Sequence, residues 1–100
     1  MAKAYLVADV TVNDSERYSE YIRTVPALVA KYGGKYMVRA SAVHPLEGDL
    51  EISRVTIVEF ESMDVARQFY ESAEYAPLLK LRTDTTRSRT AFVEGFIAVQ

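Results

Sequence analysis

The run Lys31-Tyr32-Gly33-Gly34-Lys35-Tyr36 constrains the fold more than any other part of this chain. It follows a stripe of apolar and aromatic residues spaced three and four apart, which is typical of a helix with one face in a core. Adjacent glycines readily adopt the left-handed conformation that ends a helix, and the residues after them alternate as a strand does. The sequence therefore predicts a helix that stops at Gly33-Gly34 and a strand over 35–43.

The start of that helix is indicated by Asn13-Asp14-Ser15-Glu16, which has the pattern of a capping box. We expect Asn13 to cap the helix and Glu16 to return a hydrogen bond to the cap. Pro26 lies inside the apolar stripe. Because proline removes one helical hydrogen bond, we expect a kink or a restart of the helix there.

Alternating or β-branched runs predict three further strands. The runs are Ala4–Val12, 52–60 and 92–99. Ser62 is a good N-cap for a second helix, and Pro77 suits the first turn of a further helical segment. Positions 82–90 are polar and rich in threonine, so we expect the basic residues Arg87 and Arg89 to lie in a solvated loop or at a helix end.

This order of elements predicts a ferredoxin-like α+β fold over residues 1–100, with a four-stranded antiparallel sheet and both helices on one face. The first strand is apolar on both of its sides, since Tyr5 and Val7 alternate with Leu6 and Ala8. The sheet face away from the helices is then too apolar to be stable in water. We therefore predict that two copies pack these faces together as a homodimer with two-fold symmetry.

The composition excludes several classes of function. The net charge is −2, which argues against the clustered basic face of a nucleic-acid-binding protein. Cysteine is absent, so disulfide scaffolds, thiolate metal sites and cysteine nucleophiles are excluded. The sequence shows neither a signal peptide nor a run of about 20 apolar residues that could span a membrane. We expect a soluble cytoplasmic protein that uses no metal.

His44 is the only histidine and precedes Pro45 at a strand end. A histidine titrates near neutrality and could act as a general base. The sequence offers no second histidine for a metal site and no evident partner to orient the ring. An exposed turn residue is therefore the favoured interpretation of His44.

Arg39 and Arg54 lie in the middle of apolar strand patterns, where a charge requires a partner. Asp9, Glu59 and Glu94 also lie on predicted strands and could form an ion-pair network with them, inside the barrel or across the dimer, which is the favoured interpretation. The alternative is that an arginine holds a substrate carboxylate or enolate through two hydrogen bonds.

Tyr75 and Arg82 are seven residues apart in a segment with helical spacing, so they could share a face. A tyrosine hydroxyl and a guanidinium that converge on a pocket would suit an oxyanion. The alternative, slightly favoured, is that Tyr75 packs in the core while Arg82 pairs with Glu74 or Asp84.

Residues and short motifs in a distinctive order extend over nearly the whole chain. They are Tyr21, Pro26, Lys31-Tyr32-Gly33-Gly34-Lys35-Tyr36, Arg39, Glu47-Gly48, Arg54–Phe60, Tyr70, Ser72, Glu74-Tyr75 and Leu81-Arg82. Their order and spacing together resemble the family called domain of unknown function 1330. Leu50 and Glu51, and the polar run Thr83-Asp84-Thr85-Thr86, depart from that pattern.

The resemblance implies the dimeric α+β barrel superfamily. Its relatives include small cofactor-free monooxygenases, muconolactone isomerases and dye-decolourising or haem-handling proteins. It also implies that any site lies in a pocket between the sheet and the helices of each subunit.

Three hypotheses about function follow. The favoured one is a protein that binds a small hydrophobic or anionic molecule through Arg39, Arg54, Tyr75 and Arg82, with no cofactor. The second is a cofactor-independent isomerase or monooxygenase, in which Arg39 or Arg54 holds the anion and Glu59 or His44 moves a proton. The third is a purely structural dimeric module, since a fold alone does not define an activity.

Overall fold

The computed structural model describes residues 2–97 and contains four strands and three helices over that range. In chain order they are β1 (Ala4–Val12), α1 (Ser15–Lys31), β2 (Lys35–Ala42), β3 (Arg54–Phe60), α2 (Met63–Tyr70), α3 (Ala76–Thr85) and β4 (Thr86–Glu94). The strands form one antiparallel sheet in the order β2-β3-β1-β4. The predicted ferredoxin-like α+β fold is confirmed. Within residues 2–97, no helix combines the length and the apolar character needed to cross a membrane.

The last strand begins earlier than the sequence predicts. β4 pairs with β1 along its whole length, from Thr86 opposite Val12 to Glu94 opposite Ala4. Its alternating threonine, serine and arginine residues suit an edge strand, because threonine favours extended backbone and the edge is in contact with solvent. The prediction of a loop or a helix end over 82–90 is therefore right for 82–85, which end α3, and wrong for 86–90, which are strand. The predicted strand over 92–99 is right only at its start, and positions 98 and 99 lie outside the described residues.

The cap of α1 is Asp14 rather than Asn13. The Oδ1 atom of Asp14 accepts a hydrogen bond from the backbone N–H of Arg17 at 3.2 Å. The backbone N–H groups of Asn13 and Asp14 both donate to the carbonyl of Thr85, which holds this turn against the end of α3. Because that anchor fixes Asn13 outside the helix, the cap falls one residue later than predicted.

Pro26 lies inside a continuous α1, so the helix does not restart there. Proline has no N–H to donate, and the carbonyl four residues earlier therefore loses its helical partner. That carbonyl belongs to Ile22, and it accepts a hydrogen bond from the guanidinium of Arg39 at 3.3 Å instead. A side chain from β2 thus satisfies the group that the proline leaves free.

The core lies at one end of the sheet, where α1 and α2 cover Phe60 and Ala4. Its buried members are Ala4, Val25, Leu28, Val29, Val58, Phe60, Ala66, Phe69 and Tyr75. The turn after α1 fits closely against this core, since a Cβ atom on Gly34 would lie 2.7 Å from Val29 Cγ1 and 2.9 Å from Phe60 Cε1. Gly33 has φ +74° and provides the left-handed residue that ends α1, as the sequence predicts.

One face of the sheet is turned towards the helices, and the other is not covered by any helix of the described chain. Leu6, Ala8 and Val58 face the helices, so the strand alternation turns Tyr5 and Val7 to the opposite face. On that opposite face an apolar row crosses all four strands. In sheet order the row is Val38, Ile57, Val7 and Ala91.

Candidate functional site

A cavity of about 410 Å³ lies between the sheet and the helices. α1 packs mainly on α3 rather than on the strands, which leaves space between α1 and the sheet. The apolar part of the wall comes from β1 and α1. Its residues are Leu6, Ala8, Val10, Ile22, Val25 and Val29. A volume of this size falls within the roughly 300–1,000 Å³ range of small-molecule sites.

Arg82 is the most unusual residue of this cavity. It is only 5% exposed and lines the cavity, yet no carboxylate of residues 2–97 lies within 4.0 Å of its guanidinium. The two predicted partners are engaged elsewhere, since Glu74 pairs with Lys31 at 2.7 Å and Asp84 with Lys80 at 2.9 Å. The predicted pairing of Arg82 with either acid is therefore wrong.

The contacts of Arg82 are with tyrosines. Its Nη2 atom donates to the hydroxyl of Tyr70 at 3.4 Å, a long hydrogen bond. Burial alone would lower the pKa of Arg82, but the phenol oxygens of Tyr75, Tyr21 and Tyr70 outweigh it and raise the pKa. The guanidinium therefore stays charged in an apolar cavity that contains no opposite charge from the described residues.

Tyr75 is 1% exposed and its hydroxyl lies 2.8 Å from that of Tyr21. Burial, helped by the neighbouring Tyr75, raises the pKa of Tyr21 far above its usual value. Both tyrosines line the cavity, and their hydroxyl groups can donate or accept hydrogen bonds.

Arg39 reaches the cavity because β2 is irregular. The pairing of β2 with β3 shifts register twice between Tyr36 and Ser41, and Ala40 has φ 48°, in the left-handed region. The Ala40 N–H donates to Thr56 Oγ1 at 2.9 Å, which holds the bulge. As a result the Arg39 guanidinium lies 4.9 Å from the ring centroid of Tyr36 and extends to α1.

Arg54 lines an adjoining cavity of about 390 Å³. The two cavities share part of their walls. The shared residues are Ala8, Val10, Tyr18, Ala40 and Thr56. The Nη1 atom of Arg54 donates to the Ala40 carbonyl at 3.3 Å, so Arg39 and Arg54 lie on either side of the bulge.

The predicted ion pairs of Arg39 and Arg54 do not form. Asp9 pairs with Arg89 at 2.6 Å, and Glu59 accepts a hydrogen bond from Tyr5 at 3.0 Å. Glu94 forms no ion pair with either arginine in the described part of the chain. The network predicted from the strand pattern is therefore wrong within one subunit, because parity places Asp9 and Glu59 on the sheet face away from the cavity.

The four residues predicted to bind a ligand all line the two cavities: Arg39, Tyr75 and Arg82 the first, and Arg54 the second. The structure does not bring the two proton-transfer candidates to this place. Glu59 lies on the opposite sheet face, and His44 is exposed beyond the end of β2. Within residues 2–97, neither cavity is lined by a carboxylate or an imidazole, and no cluster of metal-ligating side chains occurs.

Four cavity tyrosines were not predicted as site residues. They are Tyr18, Tyr21, Tyr36 and Tyr70. Tyr18 and Tyr21 stack at 5.3 Å on the face of α1 that the sequence assigns to the core. The sequence does carry a signal for them, which is the presence of tyrosine rather than leucine at core positions of a helix. A buried hydroxyl needs a polar partner, so such tyrosines indicate a polar site next to the core.

Solved structures with the same fold share little sequence with this chain. RPA0582, a protein of unknown function from Rhodopseudomonas palustris, is 18% identical with a TM-score of 0.76, covering 97% of this chain and 85% of that chain. SnoaB, a cofactor-independent oxygenase from Streptomyces nogalater, is 19% identical with a TM-score of 0.64, covering 100% and 96%. A dimeric ferredoxin-like protein of unknown function from Thermobifida fusca is 10% identical with a TM-score of 0.55, covering 92% and 90%. At these identities the likeness establishes the fold alone.

A comparison with curated proteins gave no significant match to this chain. A family model described as "Domain of unknown function (DUF1330)" matches residues 3–96, which is nearly the whole sequence. The match agrees with the resemblance seen in the order of the sequence motifs. The chain therefore belongs to the DUF1330 family.

Proposed function

We propose that this protein binds a small, largely apolar molecule that carries an anionic group, with that group directed at Arg82. The observation that supports the proposal is a charged side chain, 5% exposed, on the wall of an apolar cavity without a counter-ion among residues 2–97. Burying a charge is costly unless it is paired. A bound anion would supply the missing partner, and the hydroxyls of Tyr21 and Tyr75 would offer further hydrogen bonds.

A matched pair of probes tests the proposal. 2-Naphthoate is an aromatic anion, and 2-naphthamide has nearly the same shape without the charge. We expect titration calorimetry to give at least about tenfold tighter binding of 2-naphthoate, because a buried hydrogen bond to a charged group contributes about 1.5–3 kcal/mol. Equal affinity for the two probes, or no binding of either, would contradict the proposal.

The substitution Arg82→Met separates binding from stability. Methionine fills a similar volume without charge, so removal of the uncompensated guanidinium should leave the free energy of unfolding unchanged or raise it. The variant should also bind 2-naphthoate and 2-naphthamide equally. Arg17→Met, on the exposed surface of α1, is the matched control and should retain the difference. A variant that unfolds more readily yet still prefers the anion would assign Arg82 a structural role.

A second candidate is a cofactor-independent enzyme that acts on an enol or a related acid. It is favoured by the fold shared with SnoaB, whose description names a cofactor-independent oxygenase. Here Arg82 would stabilise an enolate, as preorganised donors stabilise developing negative charge. Since the described lining contains no carboxylate or imidazole, the proton would have to leave to water. Turnover of an aromatic enol that is lost in Arg82→Met would favour this candidate over simple binding.

The protein is also proposed to be a homodimer that pairs through the sheet face opposite the helices. The apolar row of Val38, Ile57, Val7 and Ala91 supports this, because an apolar band across the sheet whose members are only half-buried or exposed favours further burial. Polar pairs flank the row, with Lys35 opposite Glu59 on one side and Asp9 bound to Arg89 on the other. Such an apolar centre with a polar rim is typical of protein interfaces.

A further inference from the structure

We propose that the ligand carries a second anionic group, separated from the first, and that Arg39 and Arg54 bind it at the mouth of the cavity. The ligand class is therefore an elongated, mostly apolar dianion. This inference rests on the proposed function, because Arg82 binds the first anionic group in both. It adds a second subsite and a requirement for the spacing of the two charges.

The distribution of charge supports a second subsite. The whole chain contains 12 basic and 14 acidic residues. The walls of the two connected cavities include three arginines, Arg39, Arg54 and Arg82, and no acidic residue of the described chain. A cleft with one sign of charge and apolar walls concentrates ligands of the opposite sign. A single anion would neutralise only one of these three charges.

The arginines are separated in depth. Arg82 is buried at the tyrosine cluster, whereas Arg39 and Arg54 are exposed beside Ala40. Ala40 belongs to the wall shared by both cavities, and Arg54 donates to its carbonyl, so the Arg54 guanidinium lies where the cavities join. The preceding residue, Arg39, lines the larger cavity from the other side of the bulge. One anionic group cannot contact the buried arginine and the exposed pair equally well. Two groups on an apolar spacer can.

The present partners of Arg39 and Arg54 are easily replaced. Each guanidinium donates to a backbone carbonyl, of Ile22 and of Ala40, at 3.3 Å. Hydrogen bonds between a guanidinium and an anion are shorter, near 2.7–2.9 Å, and about twice as strong as neutral ones. An arriving carboxylate would therefore compete well for both side chains.

The backbone between the two arginines is strained. Ala40 is the only non-glycine residue with positive φ in the described chain, and residues with a Cβ atom rarely adopt that conformation because the Cβ comes too close to the following carbonyl oxygen. The bulge breaks the regular pairing of β2 with β3 and turns Arg39 towards the cavity. Strain of this kind is commonly retained at binding sites, where it positions a side chain.

Two isomeric dianions provide the test. Naphthalene-2,6-dicarboxylate has its two carboxylates at opposite ends of the ring system. Naphthalene-2,3-dicarboxylate has the same total charge, but both carboxylates lie side by side at one end. We expect calorimetry to show the 2,6 isomer binding at least about tenfold tighter than 2-naphthoate, and tighter than the 2,3 isomer. Equal binding of the two isomers would overturn the second subsite. Absence of 2-naphthoate binding would instead overturn the proposed function itself.

The variant Arg39→Gln/Arg54→Gln tests the residues. It should reduce affinity for the 2,6 isomer to that of 2-naphthoate, while 2-naphthoate binding stays within about twofold of the original. Arg17→Gln is the matched control and should change neither affinity. Equal weakening of both probes would overturn the assignment. The assignment would also be overturned if sedimentation velocity showed that the variant is a monomer while the original protein is a dimer. The two arginines would then bind the other subunit rather than a ligand.

Discussion

Tyr21 and Tyr75 meet through their hydroxyls at 2.8 Å inside a cluster of stacked and edge-to-face rings. A buried phenol, Tyr75, and a half-buried one, Tyr21, lie beside a buried guanidinium and form a polar group within an apolar core. Satisfied networks of this kind define one arrangement of the core, because any other arrangement would leave a donor without an acceptor. The pair therefore fixes the shape of the cavity wall next to Arg82.

The raised pKa of Tyr21 predicts a loss of stability at alkaline pH. A raised pKa in the folded state means that the folded protein retains a proton that the unfolded chain releases near pH 10. The stabilisation is therefore complete below about pH 10 and is lost as the pH rises further. We expect urea unfolding at pH 8 and pH 10.5 to show a smaller decrease in Tyr21→Phe than in the original protein. Equal decreases would contradict this.

At the scale of single elements, the bulge of β2 makes a prediction about Ala40. Because Ala40 has φ 48°, Ala40→Gly should raise the free energy of unfolding by up to about 1 kcal/mol. Ala42→Gly, in the same strand but without positive φ, should lower it by about 0.5–1 kcal/mol. Chemical denaturation measures both. A loss of stability in both variants would show that the bulge carries no strain.

The start of α1 gives a second prediction at this scale. Asp14→Ala removes the side chain that accepts the Arg17 N–H, and should lower the free energy of unfolding by about 1 kcal/mol. Asn13→Ala is the matched control, and a change of less than about 0.5 kcal/mol is expected because surface substitutions usually have small effects. Thermal unfolding of the two variants distinguishes them. The reverse order of stabilities would restore Asn13 as the cap.

The sequence predicts elements best where the pattern is local. The stop at Gly33-Gly34 and the cap at Ser62 both follow from short-range chemistry, and both occur in the structure. The early start of β4 depends on pairing with distant β1. Its threonines favour extended backbone, but a polar segment of this kind is equally typical of a solvated loop. The link between Pro26 and Arg39 is likewise a contact between an element and a distant bulge, so neither residue alone predicts it.

The candidate site could be predicted in residue type but not in arrangement. Arg39 and Arg54 follow from the rule that charges in apolar patterns need partners. Tyr75 and Arg82 follow from their seven-residue spacing, which can place them on one helix face. Whether an acid can pair with these arginines depends on which face of the sheet each side chain occupies. For Arg39 that face depends on the register of β2, which shifts twice along its pairing with β3. Glu59 lies on the face away from the cavity because it alternates with Val58 along β3, so it does not have the role in the cavity that the sequence predicts.

At the scale of the whole molecule, the uncovered sheet face predicts the response of the assembly to mutation. Ile57 lies in the centre of the apolar row, opposite Val7 and Val38. A lysine there would bury an unpaired charge in the proposed interface, so Ile57→Lys should convert a dimer into a folded monomer. Sedimentation velocity measures the mass, and circular dichroism the fold. Ala27→Lys, on the exposed surface of α1, should remain dimeric. A monomeric original protein would refute the interface.

The tyrosine-lined cavity also has a spectroscopic consequence. The chain contains seven tyrosines and no tryptophan, and five of the tyrosines line the larger cavity: Tyr18, Tyr21, Tyr36, Tyr70 and Tyr75. The intrinsic ultraviolet emission of the protein therefore comes mainly from the walls of its own cavity. A ligand that absorbs at the emission wavelength of tyrosine would quench most of that light on entering. The protein thus reports occupancy of its cavity without any added label.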